Sequence, residues 1–185
     1  HISRARDADE LLALFAAHSA SIDHIHAANL WNKLGKQRVE RRQEEQLEQL
    51  VQRTLDLVSS CNARALANIA NGVAKCRLPV SVVRPLFTAV AEAAVRGGLA
   101  DFKPQALAST GWACAPAGVA AGALSAAVAE AAVRGGLAGF TPQNLSNTVW
   151  AYATTGVAAN AANARVGEEG RPRGPADLTN HKLYT

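Results

Sequence analysis

One segment of this chain occurs twice without a single change. AVAEAAVRGGLA fills Ala89–Ala100 and returns at Ala127–Ala138. The match continues through Phe102–Val119 and Phe140–Val157, where ten identical residues keep the same spacing of 38 positions. A fixed period of about 20 to 50 residues is typical of repeat proteins, and it constrains the fold more than any local pattern does.

Each repeat predicts a hairpin of two helices. Thr141 is a good N-cap and Pro142 suits a first helical position, so the first helix (helix A) is predicted from about Pro142 to Thr154. The second (helix B), rich in alanine, is predicted one repeat earlier, from about Gly122 to Arg134. A single hairpin buries too little apolar area to offset its ordering entropy, so neighbours must stack. The predicted fold is therefore all-α, an α-solenoid of stacked helix–turn–helix hairpins with a period of about 38–41 residues.

Weaker copies of helix A precede the exact repeats. NLWNKLGK at Asn29–Lys36 matches NIANGVAK at Asn68–Lys75 with a spacing of 39 positions. We therefore divide the chain into degenerate helical repeats at 1–60, a repeat at 61–101, a repeat at 102–139, a partial repeat at 140–160 and a Gly/Pro-rich tail at 161–185.

Helical spacing of apolar residues predicts five helices before the exact repeats. They span Ile2–Ala20, about His24–Gln37, Arg38–Ser60, Cys61–Arg77 and Pro79–Arg96. Pro85 lies inside the last of these and indicates that this helix is split or begins only near Arg84.

Both ends of the chain suggest a larger context. The last A helix has no convincing B helix after it, so the array is expected to continue or to dock against another surface. The tail is rich in glycine, proline and charge, and we expect a partner to hold it. The chain starts at His1 and contains no methionine, which predicts a processed or partial chain.

Few residues point to catalysis or to metal binding. Cys61, Cys76 and Cys114 form no CxxC pair and are odd in number, which favours free thiols in a reducing compartment. His24 and His26 are two positions apart and point to different sides of a helix, which favours solvated or capping histidines. We predict no enzyme activity, no cofactor and no metal site. No stretch of 18 uninterrupted apolar residues occurs, so no membrane association is predicted.

Polar residues recur at matching positions of the A helices. One position, the polar column, holds Asn29, Asn68, Ser109 and Asn147. A neighbouring position, the second column, holds Asn32, Asn71, Trp112 and Trp150. Asn and Ser can bond the base edges of single-stranded RNA, Lys can meet phosphate, and an aromatic ring can stack a base. Two structural alternatives stay open: an Asn column that bonds only neighbouring helices, and a repeated Trp that belongs to the core.

The densest basic segment adds further candidates. This segment runs from Lys33 to Arg42. The alternative is that these charges only solvate a helix face, as charged runs on helices most often do. The predicted RNA-binding residues are Asn29, Asn32, Lys33, Lys36, Arg41, Arg42, Asn68, Asn71, Lys75, Ser109 and Asn147.

The motif FxPQxLxxTxWAxAxxGV at Phe102–Val119 and Phe140–Val157 resembles the A helix of octotricopeptide and heptatricopeptide repeats. HAANLWNKLGK at His26–Lys36 resembles the degenerate repeats found upstream of RAP domains, although this chain contains no RAP domain. The resemblance covers roughly residues 1–160. It implies an α-solenoid that binds single-stranded RNA in a mitochondrion or chloroplast.

The number of nucleotides that the repeats could contact, together with the net charge, separates the roles that such a protein could have. If each hairpin reads about one nucleotide, four A helices read about four, too few to select one site in a transcriptome. The net charge of +4 is also modest for a protein that relies on phosphate contacts. The prediction is therefore a subunit of a ribonucleoprotein such as an organellar ribosome, contacting single-stranded or ribosomal RNA and neighbouring proteins. The alternative is a protein–protein scaffold subunit of an organellar complex with no RNA contact.

Overall fold

The computed structural model describes residues 2–119, 123–136 and 139–155, and the regular structure within these ranges is entirely helical. It contains eight α-helices. They are α1 (Ala8–His18), α2 (His24–Leu34), α3 (Glu44–Leu57), α4 (Ala63–Cys76), α5 (Val80–Arg96), α6 (Pro104–Cys114), α7 (Ala123–Gly135) and α8 (Pro142–Thr155). The prediction of an all-α chain is confirmed.

The helices pack by alternation along the chain. The even helices contact one another in order, α2 with α4, α4 with α6 and α6 with α8. The odd helices do the same, α1 with α3, α3 with α5 and α5 with α7. Most consecutive helices also touch, and the Tyr152 hydroxyl of α8 donates a 2.6 Å hydrogen bond to the Ser125 carbonyl of α7. The core therefore lies between an even set and an odd set of helices.

Capping side chains set the helix starts. Asp7, Asp23 and Asn62 each accept a hydrogen bond from the backbone N–H three residues later, at the beginning of α1, α2 and α4. The predicted cap at Thr141 is confirmed, because its hydroxyl oxygen accepts from the Asn144 N–H at 3.2 Å. The predicted helix from Pro142 is confirmed as well.

Three predicted helices were drawn too long. The helix expected over Ile2–Ala20 is interrupted before Asp7, because that side chain starts a new helix instead of continuing the short 3₁₀ turn at Ile2–Arg4. The helix expected to reach Gln37 ends at Leu34, where Gly35 caps it. The helix expected from Arg38 begins as a 3₁₀ turn at Arg41–Gln43, after Glu40.

Pro85 does not split its helix, contrary to the prediction. α5 begins at Val80 and runs through Pro85, which is exposed. A proline here removes one main-chain hydrogen bond and crowds the carbonyl four residues earlier, at the exposed first turn of the helix. Burial of Val83, Leu86 and Phe87 on the opposite side stabilises the continuous helix.

Equivalent repeat positions are buried equivalently in the even helices. Leu30, Ile69, Thr110 and Thr148 all lie in the core. The two threonines satisfy their hydroxyls locally, each donating a 2.8 Å hydrogen bond to the carbonyl four residues before it. Small residues lie at two contacts between even helices, where Gly72 faces the Trp31 main chain and Gly111 faces Ala151. Small side chains let these helix backbones approach closely.

Candidate nucleic-acid interface

The two predicted columns lie on the even helices. Each even helix contributes one residue to the polar column, in the order Asn29, Asn68, Ser109 and Asn147. The second column follows three residues later on each helix, which places it on the same side. Asn29 is exposed, and the other three members of the polar column are half-buried.

A groove between α4 and α6 brings three predicted residues together. Its volume is about 460 Å³, and its walls include Asn68 and Asn71 from α4 and Ser109 from α6. Arg64 and Lys103 bring two positive charges to the same groove. Gln105 lines it as well, while Asp101 adds one negative charge. The groove thus combines amide and hydroxyl groups with cations along one surface.

The polar side chains of the two columns are largely unused within the protein. In the part of the chain that the structure describes, the side chains of Asn29, Asn32, Asn68, Asn71 and Ser109 have no hydrogen-bond partner. Asn147 differs, because its side-chain oxygen accepts from Gln143 Nε2 at 2.9 Å within α8. No ladder of Asn side chains joins the even helices in the described ranges, so these amides are available to a ligand.

The predicted basic residues divide into two groups. Lys36 and Lys75 are exposed and have no acidic partner among the described residues. Lys33 Nζ donates to the Ala5 carbonyl at 3.3 Å, which holds its side chain against the chain that precedes α1. Lys36 follows α2 and Lys75 lies in the last turn of α4, so both belong to the even set.

Arg41 and Arg42 lie away from the columns. Arg42 is bound by two carboxylates, Asp9 at 2.6 Å and Glu40 at 2.9 Å. Arg41 lines a separate cavity between the start of α3 and the turn after α4, together with Glu40 and Glu44. The structure therefore does not bring the predicted segment Lys33–Arg42 to one surface, because the chain leaves the even set after α2.

Acidic residues are segregated between the two helix sets. α2, α4, α6 and α8 contain no Asp or Glu, whereas they contain Lys33, Arg64 and Lys75. The odd helices carry Asp9, Glu10, Glu44, Glu45, Glu48, Asp56, Glu92 and Glu130. Near the even set, the acidic residues of the described ranges are Asp23, which caps α2, and Asp101, which precedes α6. A phosphate approaching the even helices would meet little repulsion.

Sequence reasoning missed four residues of the groove, namely Arg64, Lys103, Gln105 and Asp101. A signal for two of them was present, because Arg64 and Gln105 lie four residues before Asn68 and Ser109, one helical turn along the same side. Gln143 stands at the matching position before Asn147, so this third polar position recurs in three helices. Lys103 and Asp101 lie in a connection whose path no helical period predicts.

The two repeated tryptophans contact each other at the surface. The ring centroids of Trp112 and Trp150 are 6.2 Å apart, with planes tilted by 41°. Trp112 is half-buried against the core, while 44% of Trp150 is exposed. Trp31 in α2 is fully buried, and its Nε1 donates to Thr54 Oγ1 at 2.9 Å. The alternative of a core position thus fits Trp112 in part and does not fit Trp150.

The cysteines and His26 have surroundings that fit structural roles. Burial raises the pKa of the free thiols to about 11 for Cys61 and about 12 for Cys76 and Cys114, which keeps them protonated. His26 Nδ1 lies 2.7 Å from Asp23 Oδ1 at the N-cap of α2, and the His26 backbone N–H lowers the pKa of that carboxyl. Among the residues that the structure covers, no three His, Cys, Asp or Glu side chains are grouped to hold a metal ion.

None of the described helices combines the length and apolar character needed to cross a bilayer.

Comparison of the chain with known protein families, curated proteins and solved structures gave no match in any of the three. The predicted tail at 161–185 lies outside the described residues.

Proposed function

We propose that this protein binds single-stranded RNA on its even helices, as an α-solenoid of the octotricopeptide type. One observation carries the proposal: a surface free of acidic helix residues presents unpaired Asn and Ser side chains beside Arg64 and Lys103. Amide groups can donate to and accept from base edges, and the two cations can neutralise phosphates. Because these Asn and Ser side chains have no hydrogen-bond partner in the described ranges, the alternative in which they bond neighbouring helices has little support.

The pattern of packing between helices supports the proposal of a solenoid. Each even helix packs against the next even helix, and each odd helix against the next odd helix. In an array of stacked hairpins, each repeat contacts only its neighbours, and one helix of every hairpin lines the same side. A strand of RNA crossing α2, α4, α6 and α8 would then meet one member of the polar column per repeat.

The proposed setting is a ribonucleoprotein of a mitochondrion or chloroplast, such as the organellar ribosome. The resemblance of the repeats supports an organelle, and the small number of repeats supports a fixed subunit over an independent sequence reader. About four nucleotides would be contacted. The groove adds two cations and one carboxylate, so its affinity for phosphate is modest, as suits a protein that neighbouring subunits help to hold.

A second candidate function is that of a protein scaffold without RNA contact. The observation in its favour is Val149 of α8, which is 53% exposed at the end of the even set. A partner helix could cover this position as α8 covers α6. Crosslinking in native extract distinguishes the two functions: RNA crosslinked to the even helices supports RNA binding, and protein crosslinks without RNA support the scaffold.

The direct test is fluorescence anisotropy with labelled oligouridylate and oligoadenylate across a salt series. We expect Arg64→Gln and Lys103→Gln each to weaken binding and to reduce the slope of log K against log salt by about 0.7. Arg84→Gln is the matched control, since it removes an exposed arginine from α5, in the odd set. RNA binding that is absent, or that Arg84→Gln weakens as much as Arg64→Gln does, would refute the proposal.

A second variant pair separates a reading role from a structural one. Asn68→Ala removes a side chain without a partner in the described ranges, so binding should fall while the melting temperature changes little. Asn147→Ala also removes the acceptor of a hydrogen bond within α8. A large loss of melting temperature in Asn68→Ala, with binding unchanged, would assign the column to the fold instead.

A further inference from the structure

Two large apolar side chains of α8 are exposed next to each other in sequence, yet they point in different directions. Val149 occupies the repeat position of Trp31, Ala70 and Gly111. Those residues face the next even helix: the Trp31 main chain lies against Gly72, and Gly111 lies near Ala151. Val149 therefore lies on the side of α8 where a further repeat or partner would stack.

Trp150 lies about 100° further around the helix, in the second column. Its equivalents are Asn32, Asn71 and Trp112, and Asn71 lines the groove between α4 and α6. Trp150 thus lies on the proposed RNA surface, and its ring also contacts Trp112 of the neighbouring even helix. Exposure of 44% on a tryptophan is costly in water, and a ligand that covers the ring would remove part of this cost.

We propose that Trp150, supported by the ring of Trp112, stacks an unpaired base of the bound RNA. This inference rests on the proposed RNA binding and names the chemical class of its ligand, a single strand with at least one unstacked base. A π face accepts any base, which suits a subunit that does not select sequence. A duplex would not bind there, because its bases are already stacked on one another.

The supporting ring explains why the site needs two tryptophans. Trp112 is half-buried against the core and its centroid lies 6.2 Å from that of Trp150. This contact restricts the rotamers of Trp150, so less side-chain entropy remains to be lost when a base stacks. The even set then has two chemically different ends. Asn side chains occupy the second column on α2 and α4, and tryptophans occupy it on α6 and α8.

The location also favours a base over an apolar protein segment. Ser109 precedes Trp112 by one helical turn and lines the groove, and Asn147 precedes Trp150 in the same way. α6 and α8 carry no charged residue, so the two helices that hold the rings present no carboxylate of their own to repel phosphate. An apolar segment would instead leave the unpaired amides of that surface without water.

The test compares Trp150→Leu, Trp150→Phe and Val149→Ser by anisotropy with an oligouridylate, with its abasic analogue and with an RNA duplex. We expect Trp150→Leu to weaken binding of the oligouridylate by about tenfold and Trp150→Phe by less, because stacking is retained in part. The abasic analogue should bind wild type and Trp150→Leu equally. Val149→Ser should leave affinity unchanged, and the salt slope should be the same in all variants.

Tryptophan emission provides a second readout on the folded protein. Trp31 is buried and serves as the internal reference, so quenching by the oligouridylate should fall in Trp150→Phe to the part that Trp112 contributes. Binding by wild type with neither quenching nor a loss in Trp150→Leu would overturn the stacking inference and leave the proposed function intact. Absence of RNA binding by wild type would overturn both. A change of sedimentation in Trp150→Leu as well as Val149→Ser would place Trp150 in a protein contact and overturn the inference.

Discussion

The main-chain oxygen of Trp31 in α2 lies directly against Gly72 of α4. A Cβ atom on Gly72 would stand 2.2 Å from that oxygen and 2.8 Å from the Trp31 Cβ. Real Cβ atoms do not approach other heavy atoms so closely, so the two helix backbones are in contact at this point. The spacing of the first two even helices therefore depends on a residue without a side chain.

Gly72→Ala should destabilise the protein, because a whole helix has to move to admit one methyl group. We expect a loss of about 2–3 kcal/mol in the free energy of unfolding, measured by urea denaturation. Gly111→Ala is the matched control between α6 and α8, where the new Cβ would meet only the Ala151 Cβ at 3.9 Å. That variant should be neutral or more stable by up to about 1 kcal/mol, through helix propensity. Equal effects of the two changes would contradict the close packing.

A buried hydrogen bond joins α2 to α3 and should be costly to remove. Trp31 Nε1 donates to Thr54 Oγ1, which itself donates to the Leu50 carbonyl at 2.6 Å. Thr54→Val keeps the shape but leaves the indole N–H unpaired in the core, which should cost about 1–3 kcal/mol. Thr54→Ser keeps the hydroxyl and loses a methyl group. Thermal denaturation should rank Thr54→Val below Thr54→Ser, and the reverse order would exclude the hydrogen bond as the cause.

Stability should decline on acidification. Hydrogen bonds from Gln43 and then Arg42 lower the pKa of Asp9, and the backbone N–H of Arg6 lowers that of Glu10. Because these pKa values are lower in the folded chain than in the unfolded one, the unfolded chain binds more protons in acid. The melting temperature should be constant from neutral pH to about pH 5 and fall below about pH 4. In Asp9→Asn that fall should be shallower; an equally steep fall would exclude Asp9 as a contributor.

Asp101 is the one acidic residue that lines the groove between α4 and α6 within the described chain. Its carboxylate repels the phosphates that the proposal places there, so Asp101→Asn should tighten RNA binding. The expected gain is about threefold at low salt, and it should shrink as salt screens the charge. Glu92→Gln on α5 removes an equal charge from the odd set and should change little. Affinity that rises equally in both variants would indicate net charge alone, without a site.

The repeat was the most informative feature of the sequence, because its spacing predicted where a helix begins. The helix start at Pro142 and its cap at Thr141 agree with the structure. The failures at Asp7 and Pro85 have a common reason. A cap competes with helix continuation and a proline competes with core burial, and the balance depends on contacts that are distant in sequence.

The columns were visible before the fold was known, because equal spacing places equal positions on one side of each helix. Their use was not visible. Whether Asn68 bonds a neighbour, and whether Arg42 faces a ligand or Asp9, depends on which helices meet. RNA binding, the organelle and the octotricopeptide resemblance stay predictions.

Periodicity along the chain thus determined that the protein is helical and which residues occupy equivalent positions. Only the tertiary structure decided that α2, α4, α6 and α8, which contain no acidic residue, pack next to one another, and that Asp101 lines the groove between α4 and α6. It also decided that Arg64 and Lys103 flank the polar column and that Trp150 faces water beside Trp112. The physical reason is that a helical period orders residues within one helix, whereas a binding surface is made by side chains of different helices whose relative placement is set by packing.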